Sequence, residues 1–504
     1  MSTQPTESAI TATMLEACSQ QSTSIICITE YADSAAAVSA IGTQEMTLYY
    51  PTGVYHFASD LIFPNNITLL FAKGAMFDVI EGVEIAIKGC ILAGLWQIFS
   101  GSGAVRGTPR VECYYPQWFG AQGDGTTDDS AAIRRTIKSA YSNATTPTVV
   151  KFPKGVYLVS QTINLPQGVI IYGYDAILKA ADASLNPVLR VFNANHPEAP
   201  KLRLFHIFGL AIEGDCNDLR NVEVGITIDS TYQGGTLSTL RDCRIYFFKV
   251  GVELSPGSRM ITFDNCQITA GKYGLHIKAC SNFTGDCWIR SCQIEVERGI
   301  GIYVSSTGNG ATVAGIHVSD CVIYGLGLHA ICDNNLSVIN DFFLHNVAVD
   351  GPNEGWLMHF KGSHNHVVGS GVIQISNIWL NACDHGIYFE HVHGASITNG
   401  KISSVNYQAV VFDNSHHCAM NSVTMFSCNK TRNGGGVIKL TGKLTVKTKV
   451  RGCSIYNSED ANDLPIVIET GATKCVITEN VTDTIYPYFN QGTGTVLRDN
   501  VGRD

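Results

Sequence analysis

The sequence predicts an all-β chain: a right-handed, single-stranded parallel β-helix with a small N-terminal head and one short capping helix. Three observations lead there. An apolar-x-apolar-x-turn unit recurs from about residue 200 to 460. Within each unit the apolar residues alternate with period two, as strands do, and not with period 3.6. Glycine is abundant at 49 against 15 prolines, which fits many short strands joined by tight turns.

The recurring unit is visible in FHIFGLAI, ITFDNCQI, CWIRSCQI, IHVSDCVI, FFLHNVAV, IQISNIWL, ASITNGKI, CAMNSVTM and TKVRGCSI. With the RDCRI unit included, one apolar position aligns at Leu210, Cys243, Cys266, Cys292, Cys321, Val347, Ile378, Gly400, Val423 and Cys453. Asn, Asp, Ser or Gly precedes it. The spacing varies between 22 and 33 residues, which suits coils whose corners hold loops of any length. A propeller blade of about forty residues is longer than these units. Five cysteines share the aligned position, so a ladder of internal thiols is expected, one every ~4.8 Å.

The chain divides into a head (1–115) with its own short strand repeat, the start of the β-helix and its cap (116–200), the body (201–490) and a C-terminal tail (491–504). In the head, Pro51-Thr-Gly53-Val54-Tyr55 with Pro64 matches Pro153-Lys-Gly155-Val156-Tyr157 with Pro166, at an offset of 102. The chain begins a coil twice. Between the copies, Asp124, Asp128 and Asp129 cluster before AAIRRTIKSA, which reads as a short amphipathic helix. Asp128 is the expected N-cap, with Asp129 in the first turn. Turn and cap roles are preferred to a metal site for this acidic group.

Composition excludes several functions. Lys and Arg total 34 against 43 Asp and Glu, a formal net charge of −9. Such a chain is not expected to follow a nucleic-acid backbone. No run of eighteen apolar residues is present, so no membrane insertion is expected. The opening residues lack the basic and apolar regions of a secretory signal. Seventeen cysteines without a CxxC pair read as reduced, buried thiols. Nine of the 15 histidines fall between 345 and 417, including His364-x-His366 and His391-x-His393. Alternate histidines share a strand face, but no third ligand is legible, and neither a metal nor another cofactor is expected.

The stretch YPQWFGAQGDGTTDDSAAI, followed by VVKFPKGVYLVSQTINLP, resembles the opening of the pectate-lyase-like β-helix superfamily. Its YPQWFGA start is most similar to bacteriophage tailspikes and capsule depolymerases. The resemblance implies a homotrimer that binds and cleaves bacterial surface polysaccharide. It also implies a virion location, assembly in the host cytoplasm, and attachment through the head to a phage tail or another fibre. The acidic motif marks the start of the fold and transfers no catalytic residue.

Candidate site residues come from columns of equal offset, since outward side chains on successive coils stack ~4.8 Å apart. Twelve residues after the aligned position stand Asp333, His359 and Glu390, with Lys278 earlier. Ten after it stand Glu253, His276 and Tyr388, with Tyr303 one residue displaced. Three after it stand Glu295, Tyr324, Asp350 and Asn381. Asp333 and Glu390, two coils apart with His359 between them, are the first candidates for acid and base; Glu295 and Asp350 are the second. Tyr303, Tyr388, Lys278, His276, Glu253 and Tyr324 are candidate substrate contacts. Trp379 is a possible sugar platform, whereas Trp356 is assigned to the core. Carboxylates two coils apart favour inverting hydrolysis, which needs ~6.5–9.5 Å between them. A uronate substrate would favour β-elimination instead, with His359 or Tyr303 as base and Lys278 facing the carboxylate. A non-catalytic adhesin is the third reading. A plant-wall pectinase ranks last, since it would carry a secretion signal.

Overall fold

The computed structural model describes residues 24–141, 147–192, 204–214, 222–229, 238–280, 283–308, 310–332, 337–363, 372–431, 435–456 and 464–502. The chain packs as two compact units. One runs to Tyr157 and takes in Gly168–Tyr172; the other comprises Leu158–Gln167 and the chain from Gly173 onward.

In the first unit the head forms three short parallel sheets. One joins Ser24–Cys27, Met46–Tyr50, Ile67–Phe71 and Ile91–Leu92. The second joins Gly53–Phe57, Ala75–Val79 and Phe99–Ser100, and the third Leu61–Phe63, Glu84–Ile87 and Ala104–Arg106. Their inward rings fill the core: Tyr50 stacks on Phe71 at 5.5 Å, and Phe77 lies 4.7 Å from Phe57. The two copies of the sequence repeat share a local device. Tyr55 donates its hydroxyl to the Pro51 carbonyl at 2.8 Å, and Tyr157 does the same to Pro153 at 2.8 Å. Each tyrosine thus closes the turn that starts its own strand.

The amphipathic helix spans Ser130–Tyr141, with Ile133, Ile137 and Ala140 buried. It begins one turn position later than expected. Asp128 accepts from the Ser130 amide and hydroxyl, while the Asp129 carbonyl accepts from Ile133. The Asp129 side chain folds back onto the amides of Gln122 and Gly123, at 2.7 and 3.0 Å. Asp124 accepts from the amides of Thr126 and Thr127, which hold its carboxyl well below the ordinary carboxylate range. All three acids serve turns and the cap.

The second unit is a right-handed parallel β-helix. Each coil contributes three strands. The first sheet holds the strand after the aligned apolar position, the second the next strand, and the third the strand that leads to the following coil. The aligned positions all face inward, with Cys243, Cys266, Cys292, Cys321, Val347, Ile378, Val423 and Cys453 no more than 2% exposed. The residue before each one turns the corner in the left-handed region: φ is 57° at Asp242, 53° at Asn265, 53° at Ser291, 55° at Asp320, 53° at Asn346 and 53° at Asn377. Asn and Asp adopt this conformation more readily than most residues. Their side chains also link the corners, Asn265 donating to Asp242 and Asn346 to Asp320, each at 2.7 Å. Corner chemistry is therefore the physical origin of the repeat.

The thiol ladder is present. Cys243, Cys266, Cys292 and Cys321 are buried at the aligned position of successive coils, their thiols donating to backbone carbonyls: Cys243 to Ile207 at 3.4 Å, Cys266 to Leu240 at 3.5 Å, Cys292 to Arg290 at 3.2 Å and Cys321 to Ile289 at 3.5 Å. Every cysteine among the described residues is free. Burial pushes the thiols of Cys287, Cys418 and Cys428 up to about 12, so they stay protonated. A second inner stack joins Phe360, Phe389 and Phe412, with ring separations of 5.5 and 5.2 Å. Each buried ring stabilises the coil by about 1.5–3 kcal/mol.

Candidate active site

Strand register decides which outward residues are neighbours, and it separates the expected columns. On the second sheet, one row runs Glu253, His276, Tyr303, His329, His359, Tyr388. The adjacent row runs Lys278, Ser305, Ile331, Lys361, Glu390, Asp413. His359 and Glu390 therefore occupy different rows, and Lys361 takes the place in Glu390's row that equal offsets gave to His359. Asp333 lies outside the described residues.

His359 and Glu390 nevertheless meet diagonally, with Nε2 3.3 Å from Oε2, and Lys361 Nζ lies 3.3 Å from Oε1. The His359 hydrogen bond, followed by the Lys361 charge, lowers the Glu390 pKa to about 2. A carboxylate held this low carries no proton to donate near neutrality and is a weak base. Tyr388 donates to Asp413 Oδ2 at 2.8 Å, and burial, then this bond, pushes its phenol well up. Its ring is stacked on both Trp356 and His359, at 4.7 and 4.8 Å. Trp356 is half-buried on the outer face, stacked on His385 at 4.2 Å. It is not a core residue, because the strand turns Leu357 and Met358 inward instead.

A similar arrangement surrounds Glu253. Lys278 Nζ lies 2.6 Å from its carboxylate and His276 Nδ1 3.8 Å away. His276 Nε2 meets the Ser305 hydroxyl at 3.1 Å. Burial, then the Lys278 charge, lowers the His276 pKa to about 3. Tyr303 stacks on Tyr273 at 4.6 Å. The rings of Tyr303 and Tyr388 thus spend faces on their neighbours.

The first sheet differs. Its outward row runs Lys179, Glu213, Tyr246, Thr269, Glu295, Tyr324, Asp350, Asn381 and Ser403. The four residues expected together, Glu295, Tyr324, Asp350 and Asn381, are consecutive in it. Among the described residues neither Glu295 nor Asp350 pairs with a cation. Asn381 donates to Asp350 Oδ1 at 3.0 Å and accepts from Ser403 at 3.0 Å, which fixes that carboxylate. Glu295 is exposed and opens onto a cleft of about 300 Å³ lined by Arg244, Tyr246, Gln267, Thr269 and Gln293. Tyr324, between the acids, is 44% exposed, and Trp379, paired with Ala348 in the next row, is 40% exposed. Arg244, Tyr246, Gln267 and Gln293 were not singled out from sequence. They stand one or three residues after an aligned cysteine, so the same offsets would have found them.

Of the histidine pairs, His364 and His366 lie outside the described residues. His393 meets His416 and His417 on the following coil.

These coils and rows define the fold, a right-handed parallel β-helix. Residues 117–327 match the family model described as rhamnogalacturonase A/epimerase, pectate lyase-like. A 79-residue stretch is 42% identical to a probable glucan endo-1,3-beta-glucosidase of Arthroderma benhamiae, covering 14% of this chain and only 8% of that protein. The DFA-IIIase of Arthrobacter chlorophenolicus A6 aligns over 77% of this chain and 98% of its own at 12% identity, with a TM-score of 0.50, a likeness of fold. Tailspike protein 3 of bacteriophage CBA120 aligns over 77% of this chain and 59% of its own at 13% identity, with a TM-score of 0.49. Among the described residues no helix is long and apolar enough to cross a membrane.

Proposed function

We propose that this chain is a polysaccharide depolymerase of a phage tailspike, hydrolysing a bacterial surface glycan along the first sheet. One observation carries the reading: Glu295 and Asp350 stand two coils apart in one row, on either side of the exposed Tyr324. At ~4.8 Å per coil their backbones are ~10 Å apart, and leaning side chains bring the carboxyls into the ~6.5–9.5 Å range of an inverting hydrolase. In this reading one acid protonates the glycosidic oxygen while the other activates water on the opposite face. Asp350, fixed by Asn381, suits the base, and Glu295, open to the cleft, suits the acid. Tyr324 and Trp379 offer ring faces to sugars. The family match over 117–327 and the glucosidase-like stretch support glycan chemistry.

A homotrimer carried on the virion through the head belongs to the same reading. Exposed Phe426 and Tyr456, successive in the first-sheet row, supply apolar surface for a second copy.

β-Elimination on a uronate polymer is a second reading, favoured by one feature: the outer face of the second sheet sets Lys278, a cation for a uronate carboxylate, beside the row that carries His276 and Tyr303. Incubation with surface polysaccharides from a strain panel, with products analysed by mass spectrometry, separates the cases. Hydrated reducing ends support hydrolysis, unsaturated ends support elimination, and binding without product supports an adhesin.

A further inference from the structure

Three imidazoles converge at the corner between the second and third sheets. His393 and His416 occupy equivalent places on consecutive coils, joined by a parallel bridge, and their rings stack at 4.2 Å. His416 and His417 are consecutive, and in an extended strand they would point to opposite sides. The corner prevents this. His417 takes φ 56°, its ring centroid lies 5.2 Å from that of His416, and the two Nδ1 atoms are 3.0 Å apart. The His393 and His417 rings are also 5.2 Å apart, and one nitrogen from each of the three residues lies within 4.8 Å of the others.

A hydrogen bond between neutral imidazoles explains the 3.0 Å contact but not the third ring delivered from the preceding coil. A shared cation explains both. Two nitrogens bound to one tetrahedral ion at ~2.0–2.1 Å are about 3.3 Å apart, close to the spacing of His416 and His417. His393 brings a ring nitrogen within 4.8 Å of both. On the next coil the corner carries Val446 and Lys447, the latter also in the left-handed region at φ 59°, so the histidine set closes at three. His417 is exposed, while His393 and His416 are half-buried, leaving a route for an ion from solvent.

We propose that His393, His416 and His417 bind a divalent transition-metal ion of the zinc type, completed by water, which clamps two consecutive coils at this corner. Three imidazoles select zinc, nickel or copper over calcium or magnesium.

The test uses the full chain without a histidine tag, stripped with a chelator and titrated with zinc chloride by calorimetry. Its melting temperature is followed in parallel. One zinc per chain, a melting temperature that rises with zinc but not with calcium, and at least a ~tenfold weaker affinity in each of His393→Ala, His416→Ala and His417→Ala are expected. His416→Gln and His417→Gln, which keep polar contacts at the corner, should melt like the parent without metal yet lose the zinc response. Absence of binding at millimolar zinc would overturn the site. So would unchanged zinc affinity in a folded His393→Ala/His416→Ala double variant, which would place the ion elsewhere.

Discussion

Glu295 and Asp350 stand in one outward row with Tyr324 as the residue between them. The second-sheet acids are differently placed, since Glu253 and Glu390 each touch a lysine and a histidine. Among the described residues neither Glu295 nor Asp350 has a cation partner; Glu295 faces the cleft, and Asp350 is held by Asn381. Glu253 and Glu390 are neutralised in place by Lys278 and Lys361.

The ion pair of Glu390 has a pH signature. Its pKa falls from an ordinary 4.5 to about 2, so its stabilisation is complete above pH 4.5 and is lost as the pH falls through 2. The size is about 2–3 kcal/mol. Urea unfolding between pH 2 and 6 should show that difference between the parent and Glu390→Gln. Parallel pH profiles for the two proteins would contradict the pairing.

His329 acts in the same sense, in a higher pH window. Burial is the larger effect on it and lowers its pKa from 6.5 to about 4. Its Nε2 meets the Trp356 carbonyl at 2.8 Å. The unfolded chain binds the proton first, so folding stability should fall by about 2–3 kcal/mol as the pH drops from 6.5 to 4. His329→Gln should flatten that slope, which denaturant midpoints across the window would reveal.

Much of this was legible in sequence because corners have chemical requirements. A left-handed Asn, Asp, Ser or Gly followed by the aligned position, Cys in five of the ten coils, marks each turn, so the coils, the thiol ladder and the Glu295–Asn381 row could all be placed. That row begins three residues after the aligned position, before any loop intervenes. The next corner varies in length: Glu295 to Ile300 takes five residues where Tyr324 to Leu326 takes two. An offset of twelve therefore crosses rows, which is why His359 is level with Tyr388 and not with Glu390. The histidine corner was hidden for a related reason. Its ligands come from two coils, and the consecutive pair shares a side only because the chain bends at His417.

The ladder itself is testable. Cys266→Asp puts a carboxylate between the buried thiols of Cys243 and Cys292 and should cost about 3 kcal/mol or more. Cys266→Ala should cost less. Denaturation midpoints for the two variants check the order, and rapid labelling of the native ladder by a bulky thiol reagent would contradict the burial.

Assembly has its own expected outcome. Sedimentation of the full chain at micromolar concentration should give three times the monomer mass. Phe426→Asp with Tyr456→Asp should shift the protein toward the monomer, whereas a parent protein already monomeric would contradict the trimer.

The most direct measurement is the rate of reducing-end release from a polysaccharide that the parent protein cleaves. Glu295→Gln and Asp350→Asn should each lower it at least ~100-fold, the scale for loss of a general acid or base. Both should retain the parent melting temperature and glycan binding, and Glu390→Gln should keep most of the activity. Full activity in the Glu295 and Asp350 variants, with loss in Glu390→Gln, would contradict a first-sheet site and move the chemistry to the second sheet.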